Sequence, residues 1–550
     1  MEELIAKLRF AGFVGETDIT QPTLDFYSHD ASMFELKPTA VVMPRNSQDV
    51  QRIVKLVAEQ KKTKPHLSIT ARSAGTDMSG GAINDSIIVD FTKYFNKIES
   101  VTSTSAHVQP GVYYRDFEPV TFKHGAQLPS FPASRDLCTV GGMVNNNSGG
   151  EKSLEFGKTE NFVTELKVVF ADGNEYTVKP LDRRQLVKKM GQKDFEGRLY
   201  KRTFDLIEAN YDAIKAAKPN VTKNSTGYKL WDVWDRETGI FDMSQLIIGA
   251  QGTLGLTTDL RFRLVPKTEF SGVLVCFMKN MDELGEIINV VMEHKPATFE
   301  SFDNYTLMLS VKFFFFFHKT LGWKKLIELG LQLIPDALIL FKGIPKLILL
   351  IEFTGASQQE VDEKIKAMQA DLKQFKMEAT EDDNTEAKAW KFRVMRRESF
   401  NLLRKKVKDK HTAPFIDDLV VPTIYLTEFL PKLRKIINKY KLLATVAGHM
   451  GDGNFHVIPL MKLEDPKERA KLAPAMKEVN ELVLKYHGSL SGEHNDGLVR
   501  GPWLGKMYGP HILKLFKDTK AIFDPEQLFN PRKKANANWD YSFKHIRDHF

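Results

Sequence analysis

The segment Arg72-Ser73-Ala74-Gly75-Thr76-Asp77-Met78-Ser79-Gly80-Gly81 follows Leu67-Ser68-Ile69-Thr70, a run that reads as a β-strand. Glycine and small polar residues after a strand let several backbone N–H groups converge on one anion. The spacing is neither Gly-x-Gly-x-x-Gly nor the Walker pattern ending in Lys-Ser/Thr. Alone, the segment is equally a Ser/Gly-rich turn. Two further stretches of this kind follow. One runs from Ser134 to Gly150 and contains Cys138-Thr139-Val140-Gly141-Gly142. The other runs from Ile247 to Leu256 and contains Gly252-Thr253-Leu254-Gly255.

The surrounding pattern sets these loops in an α+β frame. Thr39 to Pro44 predicts a strand stopped by proline, and Asn46 or Ser47 can cap the next helix. Val50, Ile53, Val54 and Val57 then recur at helical spacing. Ser86 to Asp90 predicts another strand, so the first Gly/Ser loop belongs to a βαβ unit. Thr164–Phe170 and Asn174–Val178 flank Ala171-Asp172-Gly173, a hairpin signal. The pattern restarts near Ser271: strands at Gly272–Phe277 and Lys346–Phe353, helices at Asp282–His294 and Gln358–Phe375. A second α+β domain follows, because single cores rarely grow past roughly 250–300 residues and this chain has 550.

Residues 307–345 interrupt that second pattern. Phe313 to Phe317 is an unbroken aromatic run, and in the next helical stretch Lys324, Lys325, Glu328 and Gln332 form one narrow polar stripe. Such a helix is buried in a core or lies in a membrane interface.

Composition excludes several classes. Two cysteines, Cys138 and Cys276, cannot build a disulfide framework or a cysteine-ligated iron–sulfur cluster. The net charge of +8 comes from 78 basic and 70 acidic residues in scattered pairs, with no aromatic-interleaved basic motif for nucleic acid. Met1-Glu2-Glu3-Leu4-Ile5 has no basic segment before an apolar run, so a signal peptide is not expected. Charges recur within every stretch of about 18 residues, so no spanning helix is expected either. The expectation is a cytoplasmic protein, with peripheral membrane contact through 307–345 as an option.

Toward the C-terminus the chain reads Gly448-His449-Met450-Gly451-Asp452-Gly453-Asn454-Phe455-His456, and later Gly492-Glu493-His494. Imidazoles and a carboxylate in glycine-flanked segments suit a borderline metal ion or a proton-abstracting site.

Taken in order, the three Gly-rich loops resemble the PCMH-type FAD-binding domain of the vanillyl-alcohol-oxidase superfamily. The histidine segments resemble its branch of D-lactate, glycolate and D-2-hydroxyglutarate dehydrogenases. Asp524-Pro525, Leu528 and Asn530-Pro531 match that branch's closing motif. The resemblance implies an α+β, two-domain fold. An FAD-binding domain would occupy 1–267, with its core from about 36, and a FAD-linked oxidase C-terminal (cap) domain 268–515. Residues 516–550 would return to the FAD domain.

The same resemblance implies roles. Arg72, Ser73, Ala74, Gly75 and Thr76 would wrap the FAD pyrophosphate, with Ser79 adding a hydroxyl. Ser134, Thr139, Gly141, Gly142, Asn145 and Gly149 would line the flavin and ribityl chain. Gly252, Thr253 and Leu256 would hold the adenine half or the flavin edge, and Asn530 would reach the flavin from the C-terminus. The first loop has no histidine for covalent attachment, and Cys138 reads as a small packing residue, so noncovalent FAD is expected. His449, His456 and Glu493 would bind Zn²⁺ or Mn²⁺, and His494 would be the catalytic base, with hydride passing to the flavin. Arg397 would clamp a substrate carboxylate, with Arg393 and Arg396 as alternatives. Asp417-Asp418 matches a structural strand entry and carries no assigned chemistry.

Three departures from the branch stand out: Asn495-Asp496 after His494, Ile458 two residues after the second histidine, and Gln251 where Glu is common. Ile458 argues against a dicarboxylate. The implied reaction oxidises a small anionic D-2-hydroxy acid, lactate- or glycolate-like, to the 2-oxo acid, with electrons leaving to a quinone or a protein carrier. The rivals are an oxygen-using oxidase of the same fold and a non-catalytic flavin-binding membrane or complex subunit.

Overall fold

Asn46 caps the helix Ser47–Lys61, its side chain accepting the Asp49 N–H at 3.0 Å. Val50, Ile53, Val54 and Val57 are all buried on that helix, the face its 3.6-residue period selects. The flanking strands Ala40–Met43 and Ile69–Arg72 both lie parallel to Ile87–Asp90. This computed structural model describes residues 1–304, 345–379 and 409–549, with single positions at 308, 322–324 and 327. Among the described residues the first sheet runs Glu16–Asp18, Ala40–Met43, Ile87–Asp90, Ile69–Arg72. The open edge at Ile69 is covered by the C-terminal segment: Ile69 N–H donates to Leu528 O, and Asn530 N–H to Ile69 O, each at 2.7 Å.

A second, antiparallel sheet follows in the order Ile98–Val101, Ser105–Val108, Leu256–Arg263, Val163–Val169, Glu175–Val178. The expected hairpin at Asp172-Gly173 joins its last two strands. Val169 and Leu256 pack with Val54, Ile69 and Phe529, so one apolar cluster ties both sheets together. The Gly-rich loop 73–81 therefore leaves, and the loop 249–255 enters, a strand fixed by the same core.

The second domain is built on a separate antiparallel sheet. Its described strands run Met377–Ala379, Phe270–Met278, Leu347–Gly355, Thr298–Asp303, Leu443–His449, Asn454–Met461, His411–Thr412. The expected strands and helices lie within a few residues of their sequence positions. Helices Leu284–Glu293, Gln358–Leu372, Leu426–Lys439 and Leu472–Lys485 contribute to one large core against the sheet. Val273, Val275, Phe277, Phe302, Ile348 and Leu350 form a smaller buried cluster. The Phe313–Phe317 run and Arg393, Arg396 and Arg397 lie outside the described residues. Among the described residues, no helix is long and apolar enough to cross a membrane.

Candidate active site

Two histidines share one face of a hairpin. Leu443–His449 pairs with Asn454–Met461, placing His456 opposite Ala447 and His449 opposite Asn454. The turn between them closes at Gly453 (φ 62), where a Cβ would fall 1.9 Å from Val421 O, so only glycine fits. The His449 and His456 ring centroids lie 5.4 Å apart. The segment carrying Glu493 and His494 is brought over this face by Asp418, a residue at φ 65. Its carboxylate accepts the Glu493 N–H at 2.9 Å, the His494 N–H at 2.7 Å, the Ser491 hydroxyl at 2.5 Å and the Asn454 amide at 3.0 Å. Burial without those donors would be costly; with them the carboxylate fixes the backbone of both functional residues.

The neighbouring Asp417, fully buried, spans two rings. Its Oδ2 lies 2.6 Å from His494 Nδ1 and its Oδ1 3.3 Å from His456 Nδ1. The His456 and His494 rings stack at 5.0 Å. His449 Nδ1 is held by Glu300 Oε1 at 2.5 Å, and its Nε2 lies 3.4 Å from Glu493 Oε1. Each of the three imidazoles thus has Nδ1 on a carboxylate, which turns Nε2 the other way, toward Glu493 in the case of His449. That is how metal-ligating and proton-accepting histidines are oriented.

Donor atoms of His449, His456 and Glu493 all lie within 4.8 Å of one another, and two imidazoles plus a carboxylate suit Zn²⁺ or Mn²⁺. Asp417, His456 and His494 satisfy the same distance criterion. There, however, Asp417 Oδ2 and His494 Nδ1 are already engaged with each other at 2.6 Å. The first set matches the residues that the sequence motif singles out.

Charges around the set are buried and compensated. Lys223, 1% exposed, reaches Glu493 Oε1 at 2.7 Å and Asp452 Oδ2 at 2.9 Å. Burial would raise the Glu493 pKa, but Lys223, His449 and His456 outweigh it and hold it at about 2. Asp418 behaves likewise: burial opposes ionisation, His494 and Arg500 favour it, and the pKa is about 2. Asp417 is pushed below the ordinary carboxylate range by both histidines, against its burial. Burial alone would lower the His494 pKa; Asp417 and then Asp418 reverse this and raise it to about 9.

The flavin loops converge on the same place. Ser73 to Thr76 are half-buried, and among the described residues no acceptor meets their backbone N–H groups. Arg72 packs beneath them, over the Tyr27 ring and within 3.3 Å of Tyr27 O. A Cβ on Gly142 would lie 2.8 Å from Ser73 Oγ, and one on Gly149 3.3 Å from Glu493 Oε1. Free amides at one end and side-chain-free backbone reaching Glu493 at the other fit FAD, a diphosphate carrying a flat ring.

Other sequence-selected residues hold the loops rather than offer free groups. Thr139 caps the helix Val140–Asn146, accepting the Gly142 N–H at 3.2 Å; Gly141 packs on Pro110, and Asn145 donates to Gly141 O at 3.0 Å. Ser134 O accepts the N–H groups of Leu137 and Cys138 at 2.8 and 2.9 Å. Ser79 donates to Asp77 at 2.7 Å. Thr253 donates to Ala250 O and meets the Tyr228 hydroxyl, both at 2.7 Å. Asn530 accepts from Thr70 at 2.8 Å and donates to Gly81 O and Gln251 O at 2.7 Å. Gly252 lies against Ala71, and Leu256 is in the core.

Asn495 and Asp496 are fully buried and bind away from His494: Asn495 donates to Gly249 O at 2.8 Å, and Asp496 accepts the Gly227 N–H at 2.8 Å and Lys534 at 2.7 Å. Lys223 and Glu300 stand in no motif of the sequence, and Asp417-Asp418 reads there only as a strand entry. Of these only the Asp-Asp doublet left a visible signal.

Two family models match this chain: "FAD binding domain" over residues 38–179 and "FAD linked oxidases, C-terminal domain" over 267–534. Together they place the chain among the FAD-linked oxidases. It is 28% identical over 542 residues to D-2-hydroxyglutarate dehydrogenase of Pseudomonas putida, covering 96% of this chain and 51% of that one. Against glycolate oxidase subunit GlcD of Bacillus subtilis identity is 26% over 513 residues, covering 92% and 91%. Against D-lactate dehydrogenase of Archaeoglobus fulgidus it is 25% over 520 residues, covering 93% and 96%. The chain spans about half the length of several curated relatives it matches, the Pseudomonas putida protein among them. A p-cresol methylhydroxylase structure with substrate bound superposes with a TM-score of 0.66 at 15% identity, covering 98% and 97% of the two chains. The 4-ethylphenol oxidase of Gulosibacter chungangensis, in its isoeugenol complex, gives 0.65 at 14%, covering 97% and 96%. Both share the fold.

Proposed function

We propose that this protein oxidises a small D-2-hydroxy acid to the 2-oxo acid with FAD as the electron acceptor. The observation that carries the reading is the Asp417–His494 contact at 2.6 Å beside the His449/His456/Glu493 set. Asp417 fixes the His494 ring and leaves Nε2 to take the proton of the substrate 2-hydroxyl. His449, His456 and Glu493 would hold a divalent ion, which when bound supplies Lewis acidity at the hydroxyl and opposes the imidazolium charge of a protonated His494. FAD, cradled by 73–76 and the 141–149 backbone, supplies the two-electron acceptor. Arg397 is the proposed carboxylate clamp. The flavin is noncovalent in this reading, because Cys138 is buried and burial pushes its thiol up to about 12.

The substrate class is lactate- or glycolate-like. Ile458 lies on the His456 face, two residues on, with Thr445 opposite. An isoleucine there offers no hydrogen bond to a second carboxylate. Electrons leave to a quinone or a carrier protein. Peripheral membrane contact through 307–345 remains part of the proposal; Met308, Trp323 and Ile327 are 52%, 60% and 62% exposed.

The test is anaerobic flavin bleaching with a panel of D-2-hydroxy acids, with and without chelator. Bleaching by D-lactate or glycolate that chelator abolishes is expected. No bleaching by any member, with FAD and metal both bound, overturns the reading. Reoxidation of the reduced flavin by air within seconds would instead assign an oxidase.

A further inference from the structure

Gln251 carries a set of contacts that the reaction scheme does not use. It sits at φ 51 in the third Gly-rich stretch and is 7% exposed. Its Nε2 donates to Asp77 Oδ2 at 3.0 Å and to Ser79 Oγ at 2.9 Å, both in the first loop. Its Oε1 accepts the Gly497 N–H at 2.8 Å, three residues beyond His494. Its backbone N–H donates to Asn145 O at 2.8 Å, and its carbonyl accepts from Asn530 at 2.7 Å. One residue thus touches the first loop, the second loop's helix, the His494 segment and the C-terminal return.

The two ends of this side chain meet opposite requirements. The Asp77 carboxylate accepts from Gln251 and Ser79, and the Gly497 N–H can only donate. An amide answers both. A glutamate would still accept from Gly497 but would set a second carboxylate about 3 Å from the half-buried Asp77, where each disfavours the other's charge. Packing gives no escape: a Cβ on Gly81 would lie 2.4 Å from Gln251 Nε2 and 2.5 Å from Asp77 Oδ2. We propose that Gln251 is a positioning residue that locks the flavin-cradling loop to the segment carrying His494, and that Asp77 requires its amide. The proposal rests on the FAD site described above and not on which hydroxy acid is oxidised.

The test is Gln251→Glu in the full chain, with FAD affinity read by flavin fluorescence between pH 5 and pH 8. Asp30, Arg72, Lys533 and Lys534 also act electrostatically on Asp77, so each variant is compared with the wild-type profile. Affinity should fall by about tenfold or more at pH 8 and recover toward pH 5, where the carboxylate pair can share a proton. Adding Asp77→Asn should restore it, because an asparagine can donate to the new carboxylate. Gln251→Glu that does not fold, with the double variant folding and binding FAD, supports the same pairing. FAD affinity of Gln251→Glu within twofold of wild type at pH 8, or no rescue by Asp77→Asn, overturns it. A wild-type chain that binds no FAD overturns both this proposal and the cofactor assignment.

Discussion

Asp417 Oδ2 stands 2.6 Å from His494 Nδ1 while the same carboxylate's Oδ1 faces His456 Nδ1 at 3.3 Å. One buried acid therefore orients both the proposed base and a proposed metal ligand. It also ties the protonation of one ring to the position of the other.

His494→Ala is expected to retain FAD and to slow flavin reduction by substrate about 10²–10⁴-fold, the usual worth of a general base. Single-turnover anaerobic reduction measures this. Reduction within tenfold of wild type would reassign the base. Asp417→Asn should lower the His494 pKa from about 9, since Asp417 is the main group raising it. Imidazole NMR titration of metal-free protein reads that shift.

Acid should loosen the site. Asp418 and Glu493 have folded pKa values of about 2, below their unfolded values, and Asp417 is lowered further. Groups depressed on folding contribute stability above their unfolded pKa and lose it as pH falls through the folded value. Urea midpoints should therefore drop between about pH 4 and pH 2. Asp418→Asn should flatten part of that slope and cost about 1–3 kcal/mol at pH 7, because buried donors lose their charged acceptor.

Metal content should follow the ligand set. His449→Ala, measured by elemental analysis after reconstitution, should hold well below one ion per chain while still binding FAD. Glu300→Gln should weaken metal affinity about 10–100-fold, as expected for an outer partner of a ligating histidine. Equal metal content in wild type and His449→Ala would remove the set from consideration.

FAD should be released entirely by acid or heat denaturation, and Cys138→Ala should not change the amount released. Flavin that stays with the precipitated protein would point to a covalent link.

Local features are legible in the order of the residues. Asn46 as a cap, Val50/Ile53/Val54/Val57 as a buried stripe, and Asp172-Gly173 as a hairpin depend on neighbours within a few residues. The glycine-flanked histidine motif is legible too, but that His449 and His456 share one face of a hairpin comes from the strand register. The roles of Asp417 and Lys223 are not. Asp417 meets His494 across 77 positions, and Lys223 meets Glu493 across 270. Asp-Asp before Leu-Val-Val looks like a polar strand entry until the strands are ordered.

The residue types and their order determined, by themselves, the α+β pattern and the Gly-rich loops, and they carry the resemblance that implies the proposed ligands and base. Tertiary structure alone decided which groups of those loops remain free. Ser79 and Asn530 bind neighbouring loops and Thr253 its own, while among the described residues no acceptor meets the N–H groups of Ser73 to Thr76. It also set Asn495 and Asp496 against the first domain rather than against substrate. The reason is physical: a buried polar atom takes whatever partner the packing brings within about 3 Å, and packing is fixed by contacts between segments far apart in sequence.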